Sequence, residues 1–323
     1  MRLANLRAVG PHVAGQTRLV QVSADHTTCR ATHAPSLQAA LDEGGLSAKG
    51  PEETFDIRDC AAPLPRAFGF LDGSAYLNHV ELVRRARGAD MPERLHHDPL
   101  MYQGCSVFDD PTAPITADAS WGADCEAEIA VITSAVPRGV STEEAASHVA
   151  LVMLINDVSF RHLIADELAK GFGFVQSKPA SACSPLAISP DDLPGWDGRK
   201  LHGTLCVDIN KRPLGRLQTG QDMAFDFGDL IAHAAKTRDL PAGTVIGSGT
   251  ISNREPDGGP GKTVIQGGAG YACIIEQRMV ETRATGTPVT PFLEHGDRVK
   301  IWMEDATGQP IFGAIDQRVA ALT

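Results

Sequence analysis

The chain has 323 residues, 42% of them hydrophobic and 21% charged, which is enough for one large domain, or a small domain followed by a larger one, with an ample core. A net charge of −11 and a pI near 5.4 argue against nucleic acid or an anionic membrane as partner. The longest uninterrupted apolar run, Val149–Ile155, is too short to span a bilayer, and the start MRLANLRAVG has no signal-peptide core, so the expectation is a cytoplasmic protein. Seven cysteines (29, 60, 105, 125, 183, 206 and 273) contain no C-x-x-C pair and read as reduced thiols rather than as a disulfide framework or zinc site.

Residues 1–66 read as a small β-rich unit, with strand-like segments near Leu6–Val9 and Arg18–Ser23 and a short helix around Ser36–Glu43. The proline-punctuated Ala61–Arg66 ends it, since proline blocks helix growth and favours extended geometry before it. Residues 67–323 then form the larger unit. FLDGSAYLNHVELVRRARGA, from Phe70, reads as a strand end, a turn and a helix carrying His79 and Glu81, and Asp98–Pro111 as a strand and glycine loop. Trp121–Val131 leads into an apolar strand, and Ser141, with Glu144 at capping-box spacing, opens a helix expected to run through Leu154. Asn156-Asp157-Val158-Ser159 follows, then the small-residue loop Gly171–Pro185 with Lys178. Leu201–Ile209 is a strand followed by a hairpin turn at Asn210-Lys-Arg-Pro213, Phe227–Thr237 a helix, Leu240–Asn253 a buried strand running into a Gly-Thr loop, and Phe292–Met303 a turn into a strand.

The stretch that carries chemistry is WGADCEAEIAV. Asp124, Glu126 and Glu128 stand at every second position, so in one strand they would share a face. Three anions on a half-buried face repel one another and lose hydration, a cost of several kcal/mol that a hard, oxygen-seeking cation removes. An unpaired solvated strand edge is the alternative. Asp157 serves equally as a turn former, and Lys178 lacks a nearby acid in its own loop, which suits a bound anion. No Walker or Rossmann pattern is present.

D-C-E-A-E at 124–128, N-D-V-S at 156–159, Q-S-K-P at 176–179 and G-S-G-T at 247–250, in this order, resemble the fumarylacetoacetate hydrolase family over residues 68–323. The resemblance implies a mainly β, α+β fold: a mixed β-sandwich roll preceded by a small β-rich N-terminal domain. It implies Glu126, Glu128 and Asp157 as ligands of Mg²⁺ or Ca²⁺, with Mn²⁺ as a further option, and Asp124 as a strand-end residue outside the ligand set. Lys178 becomes catalytic and substrate-facing, and Thr250 substrate-binding. His79 becomes the water-activating base, with Glu81 its partner although the acid stands two residues on instead of three; His96, His97 and His162 are the other candidates. A fourth carboxylate in some members maps to the region of Asp109 or Asp110.

The implied activity is hydrolysis of a carbon–carbon bond in a small anionic β-diketone acid, fumarylacetoacetate or an acylpyruvate, as in aromatic amino-acid catabolism, by a homodimer. An isomerase, decarboxylase or hydratase of a related 2-oxo or 2-hydroxydienoic acid is the runner-up, and an idle metal- and acid-binding module the rival from another class.

Overall fold

Apolar runs without polar alternation become the centre of a sheet covered on both faces. The computed structural model describes residues 1–7, 16–44, 46–86, 90–91 and 93–322. Strands Ala127–Thr133 and Val149–Asn156 pair antiparallel, with Ala127 opposite Asn156. Ile129, Val131, Val152 and Leu154 enter one core, while Ala130, Ile132, Leu151, Met153 and Ile155 enter a second on the other face. That double burial corrects the helix expected through Leu154. The Ser141-capped helix stops at Ala146, and the run from Val149 is strand, because a segment buried on both faces carries no period that separates strand from helix.

The helices are α1 (Leu37–Glu43), α2 (Leu77–Ala86), α3 (Thr142–Ala146), α4 (Arg161–Lys170), α5 (Phe227–Ala234) and α6 (Ile274–Thr285). Of these, α4 and α6 had no counterpart in the sequence reading. Among the described residues, thirteen strands form one mixed sheet whose middle runs Arg2–Arg7, Ala187–Ile188, Val149–Asn156, Ala127–Thr133, Thr244–Gly247, Gly69–Gly73 and Met101–Gly104. A five-stranded sheet built on Thr204–Ile209, Arg298–Glu304 and Pro310–Ala321 packs through Leu205, Val207, Ile301 and Ile315 into the first core. The fold is α+β and mostly sheet.

The Thr204–Ile209 hairpin turns through Asn210 and Lys211, both with positive φ (52° and 66°), the twist a two-residue hairpin requires. Residues before Arg66 do not make a sheet of their own: Arg2 and Leu3 pair with Ile188 and Ala187, so hydrogen bonding crosses the composition boundary. The expected Leu6–Val9 strand is Arg2–Arg7; Val9 lies outside the described residues.

Asn156 ties the two sheets together at the end of its strand. Its Oδ1 accepts from Glu126 N (3.0 Å), and its Nδ2 donates to Gln317 Oε1 (2.8 Å) on the opposite sheet. Both partners lie in the interior, so Asn156→Ala orphans a donor and an acceptor. A loss of about 1–3 kcal/mol per orphaned group is expected in urea unfolding.

Candidate active site

Four neighbouring strands build the acidic end of the large sheet, and three of them deliver its carboxylates. Asp72 comes from Gly69–Gly73, Glu128 from Ala127–Thr133 and Asp157 from the residue after Val149–Asn156; one oxygen from each falls within 4.8 Å of the others. The fourth strand, Thr244–Gly247, lies between those of Asp72 and Glu128, with Gly247 opposite Asp72. A Cβ on Gly247 would collide with Asp72 Oδ1 and come within 3.2 Å of Glu128 Oε2, so only glycine leaves the carboxylates this close.

Glu128 is fully buried, and among the described residues its oxygens have no neutral or cationic donor, only the carboxyl of Asp72 beside them. Burial, reinforced by Asp72 and Asp157, pushes its carboxyl well above the ordinary range. Burial and then Asp157 push Asp72 up to about 8, although Gly249 N donates to its Oδ1 at 3.1 Å. Asp157 accepts from Ser181 Oγ (2.8 Å), Tyr102 Oη (2.5 Å) and Lys178 Nζ (2.5 Å). An oxygen-only donor set with no cation paired to Glu128 among the described residues fits a hard divalent ion, which supplies the charge the carboxylates lack. Neither Asp109 nor Asp110 belongs to the set: Asp110 pairs with Arg7 and caps Ala62 N, and the fourth-carboxylate expectation moves to Asp72.

Glu126, the third ligand expected from the sequence, is not within this close triad but lines the same cavity as Asp72. The strand breaks at Cys125 and Glu126, so the three alternating acids do not share one face. Glu126 faces Lys178 Nζ (2.6 Å) and Arg161 Nη2 (2.6 Å). Burial alone would raise its carboxyl; Lys178 and Arg161 reverse that and hold it well below the usual carboxylate range. Lys178 is buried, and the acids missing from its own loop arrive from two other elements. The anion expected beside it is therefore already present as Glu126 and Asp157. Asp124 accepts from Ile274 N (2.7 Å), Ile275 N (3.0 Å) and Arg161 Nε (2.8 Å), anchoring the start of α6.

That anchor positions Glu276, which replaces Glu81 as the partner of His79. His79 Nδ1 lies 2.8 Å from Glu276 Oε1, and the carboxylate is 1% exposed. Glu81, two residues after His79 on α2, points to another face and pairs with Arg85 (2.6 Å) and Arg254. A two-residue step turns a helical side chain by about 200°, onto nearly the opposite face, so His79 and Glu81 do not converge. His162 binds the Ser120 carbonyl (2.7 Å), and neither it nor His96 or His97 lines the cavity described next.

His79, Asp72, Glu126, Lys178, Tyr102 and Thr250 open onto one cavity of about 240 Å³, walled by Val80, Val83, Ile164, Leu168 and Phe174. Thr250 Oγ1 is buried without a hydrogen-bond partner among the described residues. The profile of the fumarylacetoacetate hydrolase C-terminal domain matches residues 70–320. The chain belongs to the fumarylacetoacetate hydrolase family. Within it, the chain is similar to an uncharacterised protein of Pyrococcus abyssi, at 24% identity over 198 residues, 61% of this chain and 68% of that one. It is similar in fold to 5-carboxymethyl-2-hydroxymuconate delta-isomerase from Mycobacterium smegmatis (20% identity, TM-score 0.64) and to fumarylacetoacetate hydrolase from Exiguobacterium antarcticum (16%, 0.65), each over the full length of both chains.

Sequence reasoning missed Asp72, Tyr102, Arg161 and Glu276. Asp72 carries a local signal, an acid at a strand end before the glycine and the helix of His79. Glu276 carries none, standing 197 residues from the imidazole it orients.

The triad predicts an unusual pH response. Burial and Asp157 raise Asp72 to about 8 in the folded chain, against about 3.9 for an exposed aspartate, so across that window the metal-free native state holds more protons. Its stability should therefore fall as pH rises from about 4 to about 8. Urea unfolding in chelator is expected to show wild type losing ground to Asp72→Asn over this range, with Mg²⁺ restoring wild type far more than the variant.

Proposed function

We propose that the protein is a divalent-metal-dependent hydrolase that cleaves a carbon–carbon bond in a small anionic β-diketone acid of the fumarylacetoacetate or acylpyruvate type. The observation that carries this reading is an imidazole oriented by a buried carboxylate, opening onto the cavity that also holds Asp72 and Lys178. Asp72, Glu128 and Asp157 would hold Mg²⁺, Ca²⁺ or Mn²⁺, with Glu126 beside them. When bound, such an ion supplies a Lewis acid for the two oxygens of a 1,3-dicarbonyl.

With Nδ1 engaged by Glu276, His79 Nε2 is the nitrogen left to accept a proton from water, and the carboxylate stabilises the imidazolium that forms. Lys178 keeps a fixed positive charge beside the reacting oxygens: burial disfavours its ammonium, but Asp157 and Glu126 outweigh that and raise it above the ordinary lysine range. The unpartnered Thr250 hydroxyl is free to donate to a substrate oxygen. Arg84, which forms no ion pair among the described residues, lines the same cavity and suits an acidic substrate, while Val80, Val83 and Ile164 limit water.

Likeness to an isomerase keeps isomerisation of a related 2-hydroxydienoic acid as the second reading, since enolate chemistry serves both. A panel of β-diketone acids with added Mg²⁺, followed by loss of enol absorbance and product identification, decides between them. Cleavage products support the hydrolase, and a rearranged acid of unchanged mass overturns it.

His79→Ala is expected to reduce hydrolysis by about 10²–10⁴-fold with Mg²⁺ affinity retained. Lys178→Met removes a cation from between two buried carboxylates, so metal-free stability should drop by about 3–5 kcal/mol in addition to the loss of turnover. We further propose a cytoplasmic homodimer. The seven free cysteines support the compartment, and exposed Phe68, Val107, Phe172 and Val175 supply apolar surface for self-association. A monomer in sedimentation at micromolar concentration would count against the dimer.

A further inference from the structure

Cys273 is buried against the proposed base and has no part in the reaction above. It occupies the N-cap of α6, yet its side chain makes no capping bond, because Asp124 takes the Ile274 and Ile275 amides. The helix start therefore does not require a thiol. Cys273 Sγ lies 3.9 Å from His79 Nδ1, which lies 2.8 Å from Glu276 Oε1, and all three donor atoms fall within 4.8 Å of one another. A tetrahedral ion at about 2.3 Å from sulfur and about 2.0 Å from nitrogen and oxygen spaces its donors about 3.3–3.5 Å apart. The observed 3.9 Å and 2.8 Å lie on either side of that spacing.

We propose that Cys273, His79 and Glu276 form a second divalent site, selective for a thiophilic ion such as Zn²⁺, and that filling it switches off the base. The switch rests on reading His79 as that base; the site does not. Donor chemistry separates the two centres. Asp72, Glu128 and Asp157 offer only hard oxygens, whereas a thiolate and an imidazole favour zinc. The charged groups facing Cys273 are Glu276, Asp124 and Glu126 against Arg161, so a dication meets a net negative surrounding. His79, 15% exposed, gives access from the cavity, with Cys273 and Glu276 behind it.

Protons balance simply. Binding sends the thiol proton to solvent, leaves Glu276 ionised, and moves the imidazole proton from Nδ1 to Nε2. An imidazole with metal on Nδ1 and hydrogen on Nε2 has no lone pair left for water.

Co²⁺ reports thiolate ligation through a sulfur-to-cobalt charge-transfer band in the near ultraviolet. With the protein in saturating Mg²⁺, Co²⁺ is expected to raise this band in wild type and in Glu128→Ala, which lacks an intact triad. Cys273→Ser, where a hydroxyl can still begin the helix, should lose the band while keeping its thermal stability and Mg²⁺-dependent turnover. Zn²⁺ under the same Mg²⁺ should depress wild-type turnover by about 10²-fold, the contribution of a positioned base, and leave Cys273→Ser unaffected. No band in wild type, or an equal band in Cys273→Ser, overturns the site, and this readout is independent of which substrate is turned over. A band accompanied by unimpaired turnover in Zn²⁺ overturns the switch.

Discussion

An excess of buried negative charge governs this structure. Asp72, Asp124, Glu126, Glu128 and Asp157 are all buried at one end of the large sheet, and the cations among them are Arg161 and Lys178. Two cations cannot neutralise five carboxylates, and the deficit is localised: Asp124 and Glu126 are paired by Arg161 and Lys178, while Glu128 faces Asp72 and Asp157 with no cation paired to it among the described residues. Removing a carboxylate from water without a partner costs several kcal/mol, so the fold is complete only with protons or a dication at that point. An ion held by the triad would therefore contribute to the folding energetics.

The same constraint organises the neighbouring elements. Arg161 opens α4 and bridges Asp124 and Glu126, and Asp124 in turn holds the first amides of α6. Through α6 it sets Glu276, and through Glu276 the ring of His79. The acid furthest from the triad along WGADCEAEIAV thus controls the orientation of the His79 imidazole by way of a helix. The glycines are equally constrained. Gly247 admits Asp72 and Glu128 side by side, and Gly249, at φ 77°, donates its amide to Asp72 where a side chain would meet Gly73 O. Close approach of like charges here depends on backbone without Cβ.

Departures from the sequence reading share one cause. Val149–Asn156 reads as helix because its apolar residues show no alternation, and it shows none because both its faces are covered, by residues distant in sequence. Lys178 reads as wanting an anion because its loop has no acid, yet Glu126 and Asp157 stand 52 and 21 residues away along the chain and within 2.6 Å in space. Glu81 reads as the partner of His79 because it is near in sequence, whereas helical geometry sends it to Arg254.

The sequence by itself determined the family, through four motifs whose order and spacing agree, and with it the α+β class. Those features are local: each motif's residues act through backbone geometry within a few positions, so a linear string records them. Tertiary structure alone decided that Asp72 completes the triad, that Glu126 is held by Lys178 and Arg161, and that Glu276 orients His79. Each of these is a pairing across sheet neighbours or helix ends, set by strand register, such as Gly247 opposite Asp72, and register is a property of how the chain closes on itself.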